Sequence, residues 1–227
     1  MTAIFARRHV VVTGGDGALG QAVVRAFLDA GATCHLPVFG PGWPDAPAGA
    51  RITGNMDLSD EGAVTSYYAG LPPLAASIHL AGGFLARPIA DTSRAELEGQ
   101  LKLNLVTTFL CCREAVKAFR KSGGGRIVNV AARVIEQPAA GMVAYTASKA
   151  GVASLTRALA AEVRGDGILV NAVLPSIIDT PANRAAMPDA DTGRWPKPAE
   201  LAQTIRWLAS EENRLTSGAL VPVYGNA

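Results

Sequence analysis

The stretch VVVTGGDGALG, Val10–Gly20, decides the fold. Its first half is β-branched and apolar, as in a strand covered on both faces. Its second half sets Gly14, Gly15, Gly17 and Gly20 at the mouth of the helical run ALGQAVVRAFLDAG, which Gly31 stops. Glycines let a chain turn sharply from strand to helix and approach a pyrophosphate, to which the helix N-terminus offers unpaired N–H groups. Tight strand–helix turns also favour glycine on their own account, so the loop takes its meaning from the rest of the chain.

Beyond Gly31 the chain alternates. ATCHLPVF (32–39) reads as a second strand with Pro37 near its end, where the ladder tolerates it. ASIHLAGG (76–83), GRIVNVAA (125–132) and GILVNAVLP (167–175) are continuous apolar runs of the kind buried on both faces, and ALVPVYG (219–225) is a last strand. Between them, Ser93–Lys121, Met142–Arg164 and Ala199–Ser210 repeat apolar residues every three or four positions and read as helices. This order predicts an α/β fold, a parallel sheet with helices on both faces. Gly40–Ala50 is rich in Pro and Gly and reads as loop. Asp179–Pro198 carries four prolines after the carboxyl end of the sixth strand, where an open α/β sheet keeps a substrate lid. An ordinary surface excursion is the alternative.

The bulk properties bound the function. A chain of 227 residues with 49% apolar content fits one domain, 1–227, with a large core. A net charge of +2 with scattered Lys and Arg argues against nucleic acid as a partner. The start, MTAIFARRHVVVTGG, lacks the cleavage pattern of a signal peptide, and no apolar run reaches the roughly 18 residues of a membrane helix. Cys34, Cys111 and Cys112 make an odd count with two neighbours, which suits free thiols in a reducing, cytoplasmic compartment. With His9, His35 and His79 they show no ligand spacing, so no metal is expected.

The chemistry centres on YTASK. Tyr145 and Lys149 stand at i and i+4 and share a helix face. A phenol titrates near pH 10, and a neighbouring ammonium favours phenolate, which makes such a pair a proton-transfer device. A surface contact is the plainer alternative. Nucleotide choice is read at the end of the second strand, where an acid would bond a ribose 2′-hydroxyl and an arginine a 2′-phosphate. Val38–Phe39 is neither, and Asp16 opposes a further phosphate, so NAD(H) is favoured over NADP(H). Asp57 either caps the next helix or holds the adenine amino group, with Ser59 as the alternative cap.

TGGDGALG, LAGG, KLNLVTTF, GRIVNVAA, YTASK and NAVLPSIIDTP, in this order, resemble the short-chain dehydrogenase/reductase superfamily over nearly the whole chain. The resemblance implies a single-domain Rossmann fold of about seven strands, doubly wound, and hydride transfer between NAD(P) and a carbonyl or alcohol. It implies Tyr145 as acid/base, Lys149 as the group that lowers its pKa and holds the nicotinamide ribose, and Asn104 as holder of a proton-relay water. Around the nucleotide it places Gly14, Gly15, Asp16, Gly17, Ala18, Leu19 and Gly20, then Asp57 and Leu58, and Ala81, Gly82 and Gly83. Pro175, Ile178 and Thr180 stand at the nicotinamide end. It also implies a homodimer or homotetramer through the two long helices, with Cys111–Cys112 at such a contact.

The sequence departs from that pattern. The superfamily's serine falls thirteen residues before the tyrosine, at Ala132, and Ala131 has no hydroxyl either. Leu80 replaces an asparagine, and Ala18 replaces the middle glycine. Losing such a donor costs about a hundredfold in rate or more. GGDGALG, AGGF, GMVAY and VLPSIIDTPANRAAMPDAD look like the dihydropteridine-reductase branch, which also lacks the serine. That narrower likeness implies a quinonoid dihydropterin, reduced with protonation on nitrogen, contacted by Gly83, Phe84, Met142 and Trp195. Arg133 is a cation next to the missing hydroxyl, either a substitute donor or a partner of Glu136. The alternatives are a ketone reductase or alcohol dehydrogenase of the same superfamily and a non-catalytic nucleotide sensor.

Overall fold

The computed structural model describes residues 4–226, so the first three residues and the last one of the expected domain lie outside it. Seven strands form one parallel sheet in the order β3-β2-β1-β4-β5-β6-β7. They are β1 (His9–Thr13), β2 (Thr33–Pro37), β3 (Ala50–Thr53), β4 (Leu74–His79), β5 (Gly125–Val130), β6 (Ile168–Pro175) and β7 (Leu220–Val223). The order reverses between β1 and β4, which opens a crevice at the carboxyl ends of those two strands.

The inner strands are mainly apolar because each face is covered, while β3 at the edge exposes Arg51 and Thr53. Val10 and Val12 of β1 pack with Val23, Val24 and Phe27 of α1 (Ala18–Asp29) and with Ile205 and Leu208 of α7 (Pro198–Leu208). Val11, pointing the other way, packs with Val64 of α2 (Glu61–Ala69) and Phe119 of α4 (Thr107–Ser122). Ala160 of α5 (Val143–Glu162) joins that second layer. The two-residue period of the strand thus divides one valine run between two cores.

Ser93–Lys121, read as one helix, is three pieces. α3 (Arg94–Gln100) starts at a reciprocal cap between Ser93 and Glu96. A π-helical turn, Leu101–Val106, comes next, and α4 continues to Gly123, whose φ of 86° stops it. The 179–198 segment, expected as a substrate lid or a surface excursion, contains α6 (Pro181–Ala186) and a 3₁₀ turn at Thr192–Arg194. Proline is the reason for the first of these: Pro181 stands in the first turn, where its missing N–H costs nothing. No helix among the described residues is long and apolar enough to cross a membrane.

Candidate active site

A cleft of about 400 Å³ lies at the crevice between β1 and β4. Gly14, Asp16, Asp57, Leu58, Ala81 and Gly82 line it, together with Val38, Phe39 and Lys102. Gly14 holds φ at 64°, and a Cβ there would lie 3.0 Å from the Ala81 nitrogen. A side chain on Gly20 would run into the Gly14 carbonyl. The loop is therefore packed on itself and on the β4 exit, as close approach by a pyrophosphate demands. Gly17 is the N-cap of α1 and offers no side-chain bond, so the first N–H groups of that helix are left to a ligand. These residues fit a nicotinamide nucleotide.

The start of α2 differs from expectation. Asp57 does not cap α2, and neither does Ser59. Asp60 does so, accepting from the Ala63 N–H at 3.0 Å. Asp57 instead accepts from the Ser59 N–H and hydroxyl at 2.8 and 2.6 Å, which hold its carboxyl below the usual range. Thr13 went unnoticed in the sequence; its hydroxyl oxygen accepts from the N–H groups of Leu80 and Ala81 at 3.1 Å each. The backbone at Leu80 is thus held although its side chain carries no amide.

Lys149 is buried and donates to the Val130 carbonyl at 2.9 Å. Burial lowers its pKa to about 8. The same cause pushes the Tyr145 phenol up to about 12. The expected lowering of the phenol by the lysine is not what the fold produces: desolvation disfavours the charged form of each group. Phe84, exposed on its outer side, meets the Tyr145 ring edge-on at 5.0 Å between centroids. Phe84, expected only as a contact of a pterin ring, thus stands against the tyrosine.

Asn104 is fully buried and its amide is committed to the protein. Its Oδ1 accepts from the Gly83 N–H at 3.0 Å, while Nδ2 donates to the Gly83 carbonyl at 3.0 Å and the Ser148 hydroxyl at 3.0 Å. Gln100 Oε1 is a third acceptor at 3.3 Å. Ser148 in turn donates to the Tyr145 carbonyl at 2.7 Å. The Asn104 side chain thus clamps Gly83. Neither Ser148 nor Gln100 stood out in the sequence, and only the i−1 position of Ser148 beside Lys149 pointed to the site.

The remaining residues divide. Ala131 and Ala132 are buried at the exit of β5 and present no hydroxyl. Arg133 does not pair with Glu136; its Nε donates to Gln137 Oε1 at 2.7 Å and its Cζ lies 5.2 Å from the Tyr224 ring centre. Met142 begins α5 as its N-cap. Pro175 ends β6, Ile178 offers its carbonyl to Asn183 Nδ2 at 2.8 Å, and the Thr180 hydroxyl oxygen caps α6. Trp195 is 7% exposed, which leaves little surface for a substrate. Its neighbours anchor the segment: Arg194 O accepts from Asn226 N and Pro196 O from Asp179 N, both at 3.0 Å. Cys111 and Cys112 are buried in the layer that holds Val11 and Phe119.

A larger cleft, about 660 Å³, lies at the opposite pole beside the amino ends of β1 and β4. Arg126 there donates to the carbonyls of Asn213, Gly125 and Gly167, and Arg8 pairs with Glu211. Its size does not make it the site, since two of its arginines are already engaged and the proton-transfer residues are at the other end.

A doubly wound sheet with a glycine cradle at its switch point and a Tyr/Lys pair beside it defines a nucleotide-dependent oxidoreductase of the Rossmann type. The pattern of the short chain dehydrogenase family matches residues 8–191, and the chain belongs to that family. It is 30% identical over 242 residues to the cis-4-hydroxycyclohexanecarboxylate dehydrogenase of Sinomonas cyclohexanicum, covering 97% of this chain and 96% of the relative. It is also 30% identical over 237 residues to a cyclopentanol dehydrogenase of Comamonas sp. (strain NCIMB 9872), covering 95% of each. A short-chain type dehydrogenase/reductase from Mycobacterium ulcerans superposes with a TM-score of 0.89 at 22% identity, over 100% of this chain and 90% of that one.

Proposed function

We propose that the protein moves a hydride between a nicotinamide nucleotide and a small cyclic secondary alcohol or ketone. The observation that carries this reading is Tyr145, walled by Phe84 and one helical turn before buried Lys149, whose Nζ comes close to Gly82 of the glycine-lined cleft. The nucleotide supplies or takes the hydride. Tyr145 gives its phenolic proton to the carbonyl oxygen in reduction and recovers it in oxidation. Lys149, fixed by the Val130 carbonyl, holds the ribose, while burial keeps the Tyr145 phenol neutral. The names of the two relatives, both acting on ring alcohols, support the substrate class. NAD(H) is favoured because the cleft carries Asp16 and no cation at Val38–Phe39. The 179–198 segment is the lid of this reading. A homodimer or homotetramer through α4 and α5 fits it too, given exposed Leu103 and Val106 on the π turn, Phe109 on α4 and Val143 on α5.

A second reading rests on the absent hydroxyl. With Ala132 where a donor would polarise a carbonyl, a quinonoid dihydropterin, protonated on nitrogen, demands less of the site. The two separate in one experiment: purified protein is given cyclopentanone, cyclohexanone or quinonoid dihydropterin, each with NADH and with NADPH. Turnover of the ring ketones that Tyr145→Phe lowers about a hundredfold or more, with nucleotide still bound, supports the first reading. Ala132→Ser should then raise ketone turnover about tenfold or more and leave a pterin reaction unimproved. Turnover of the pterin alone would overturn the ketone reading, and indifference to Tyr145→Phe would overturn both.

A further inference from the structure

Among the described residues no carboxylate pairs with Arg133. It comes directly after Ala132, three residues after the Val130 carbonyl that holds Lys149, so it stands at the β5 exit where the reaction takes place. Its side chain is partly buried. The polar partner it has is neutral, Gln137 Oε1 at 2.7 Å, and the surface under its guanidinium is the Tyr224 ring at 5.2 Å. The ion pairs among the described residues employ Arg8, Arg87, Arg94, Arg113, Lys117, Arg120 and Arg184, and none involves Arg133. Glu136, three residues on, is exposed and turned to none of them. A guanidinium that has given up part of its water without gaining a counter-charge is poorly compensated, and a planar fork of donors matches a carboxylate in two parallel bonds.

The surroundings hold the fork in place. Tyr224 packs beside Ala131, Val152 and Leu174, and its carbonyl accepts from the Ser176 hydroxyl at 2.7 Å, tying the ring to the end of β6. Arg133 is thereby fixed between the exits of β5 and β6 by a stacked ring and a single neutral bond. Such support orients a cation and leaves its charge unanswered. No other described feature serves as the counter-charge.

We infer that the substrate carries a carboxylate, read by Arg133 at a distance from the carbon that exchanges hydride. This inference rests on the ring-ketone reading and names the substrate class within it. The reaction would be oxo-acid + NAD(P)H + H⁺ ⇌ hydroxy-acid + NAD(P)⁺, the proton coming from Tyr145 and the carboxylate unchanged throughout.

The test compares 4-oxocyclohexanecarboxylate with cyclohexanone on the wild type, Arg133→Leu and Arg133→Lys. The wild type should prefer the acid by about tenfold or more in kcat/KM, the range of a charge-assisted hydrogen bond. Arg133→Leu should abolish that preference through the KM of the acid, and Arg133→Lys should keep part of it. Equal losses on both ketones would show that Arg133 only braces Tyr224 and would overturn the inference, as would a wild type without preference. Binding is measured separately, by titrating cyclohexanecarboxylate and uncharged cyclohexanemethanol into the protein with NAD⁺. Carboxylate binding that Arg133→Leu removes supports the inference even where no ketone is reduced, a result that would sink the ring-ketone reading alone. Carboxylate binding indifferent to the substitution sinks the inference alone.

Discussion

At Lys149 two facts of burial meet: the ammonium is taken out of water, and it retains one carbonyl partner. Its pKa falls to about 8, within the range where an enzyme works. The charged form exists below that value and disappears above it. Tyr145, pushed up to about 12, stays a phenol across the same range and remains able to donate a proton. For reduction, kcat/KM should therefore be level on the acid side of pH 8 and decline above it, a limb belonging to Lys149 alone. Lys149→Arg should lower the rate and also remove the limb, because a guanidinium keeps its charge. A limb that persists in the arginine variant would assign the titration to another group. The pair itself was visible in YTASK. The balance of forces on it was not, since desolvation depends on the strands packed over it.

The element that sets the site's shape is the π turn at Leu101–Val106. One extra residue in the turn departs from the α-helical spacing and sends Asn104 inward, where it grips both backbone groups of Gly83. Gly83 precedes Phe84, and Ser148 joins the same amide to the Tyr145 carbonyl, so one side chain fixes two walls of the pocket. The space is tight. A Cβ on Gly82 would lie 2.5 Å from Asn104 Oδ1 and 3.4 Å from Lys149 Nζ. Gly82→Ala should break the clamp, raise the KM for nucleotide about tenfold or more and lower kcat, at a stability cost of about 1–3 kcal/mol. Kinetics and denaturant unfolding check this, and unchanged kinetics would deny the clamp a role. Ser93–Lys121 read as a single helix because a π turn keeps apolar residues near the expected spacing. What identifies it is a hydrogen-bond register that sequence periodicity does not contain.

Across the whole molecule, the parallel sheet and its two helix layers were readable because most strands are apolar runs alternating with amphipathic connections. The polar seam inside was not. Tyr68, Ser77, His79, Asn129 and Thr156 form one buried chain of hydrogen bonds, 2.8–2.9 Å each, from α2 through β4 and β5 to α5. Each is an unremarkable polar residue in an apolar run until the sheet brings them together. His79 is held neutral by burial, with its pKa lowered to about 4. The unfolded chain binds its proton near pH 6.5, so the folded state loses stability as pH falls from there towards 4, by roughly 3 kcal/mol in all. His35, also lowered to about 4, adds to the same slope. His79→Gln should destabilise the protein at pH 7 and make the acid side of its stability profile shallower by one proton, read from denaturant midpoints between pH 4 and 7. An unchanged slope would place the acid sensitivity elsewhere. The open start of α1 reaches further than catalysis. A helix whose first turn is finished by its ligand ties survival of the fold to supply of that ligand. At a hundred times the dissociation constant, binding adds about 2.7 kcal/mol to stability. The amount of this protein a cell keeps would then rise and fall with its nucleotide pool.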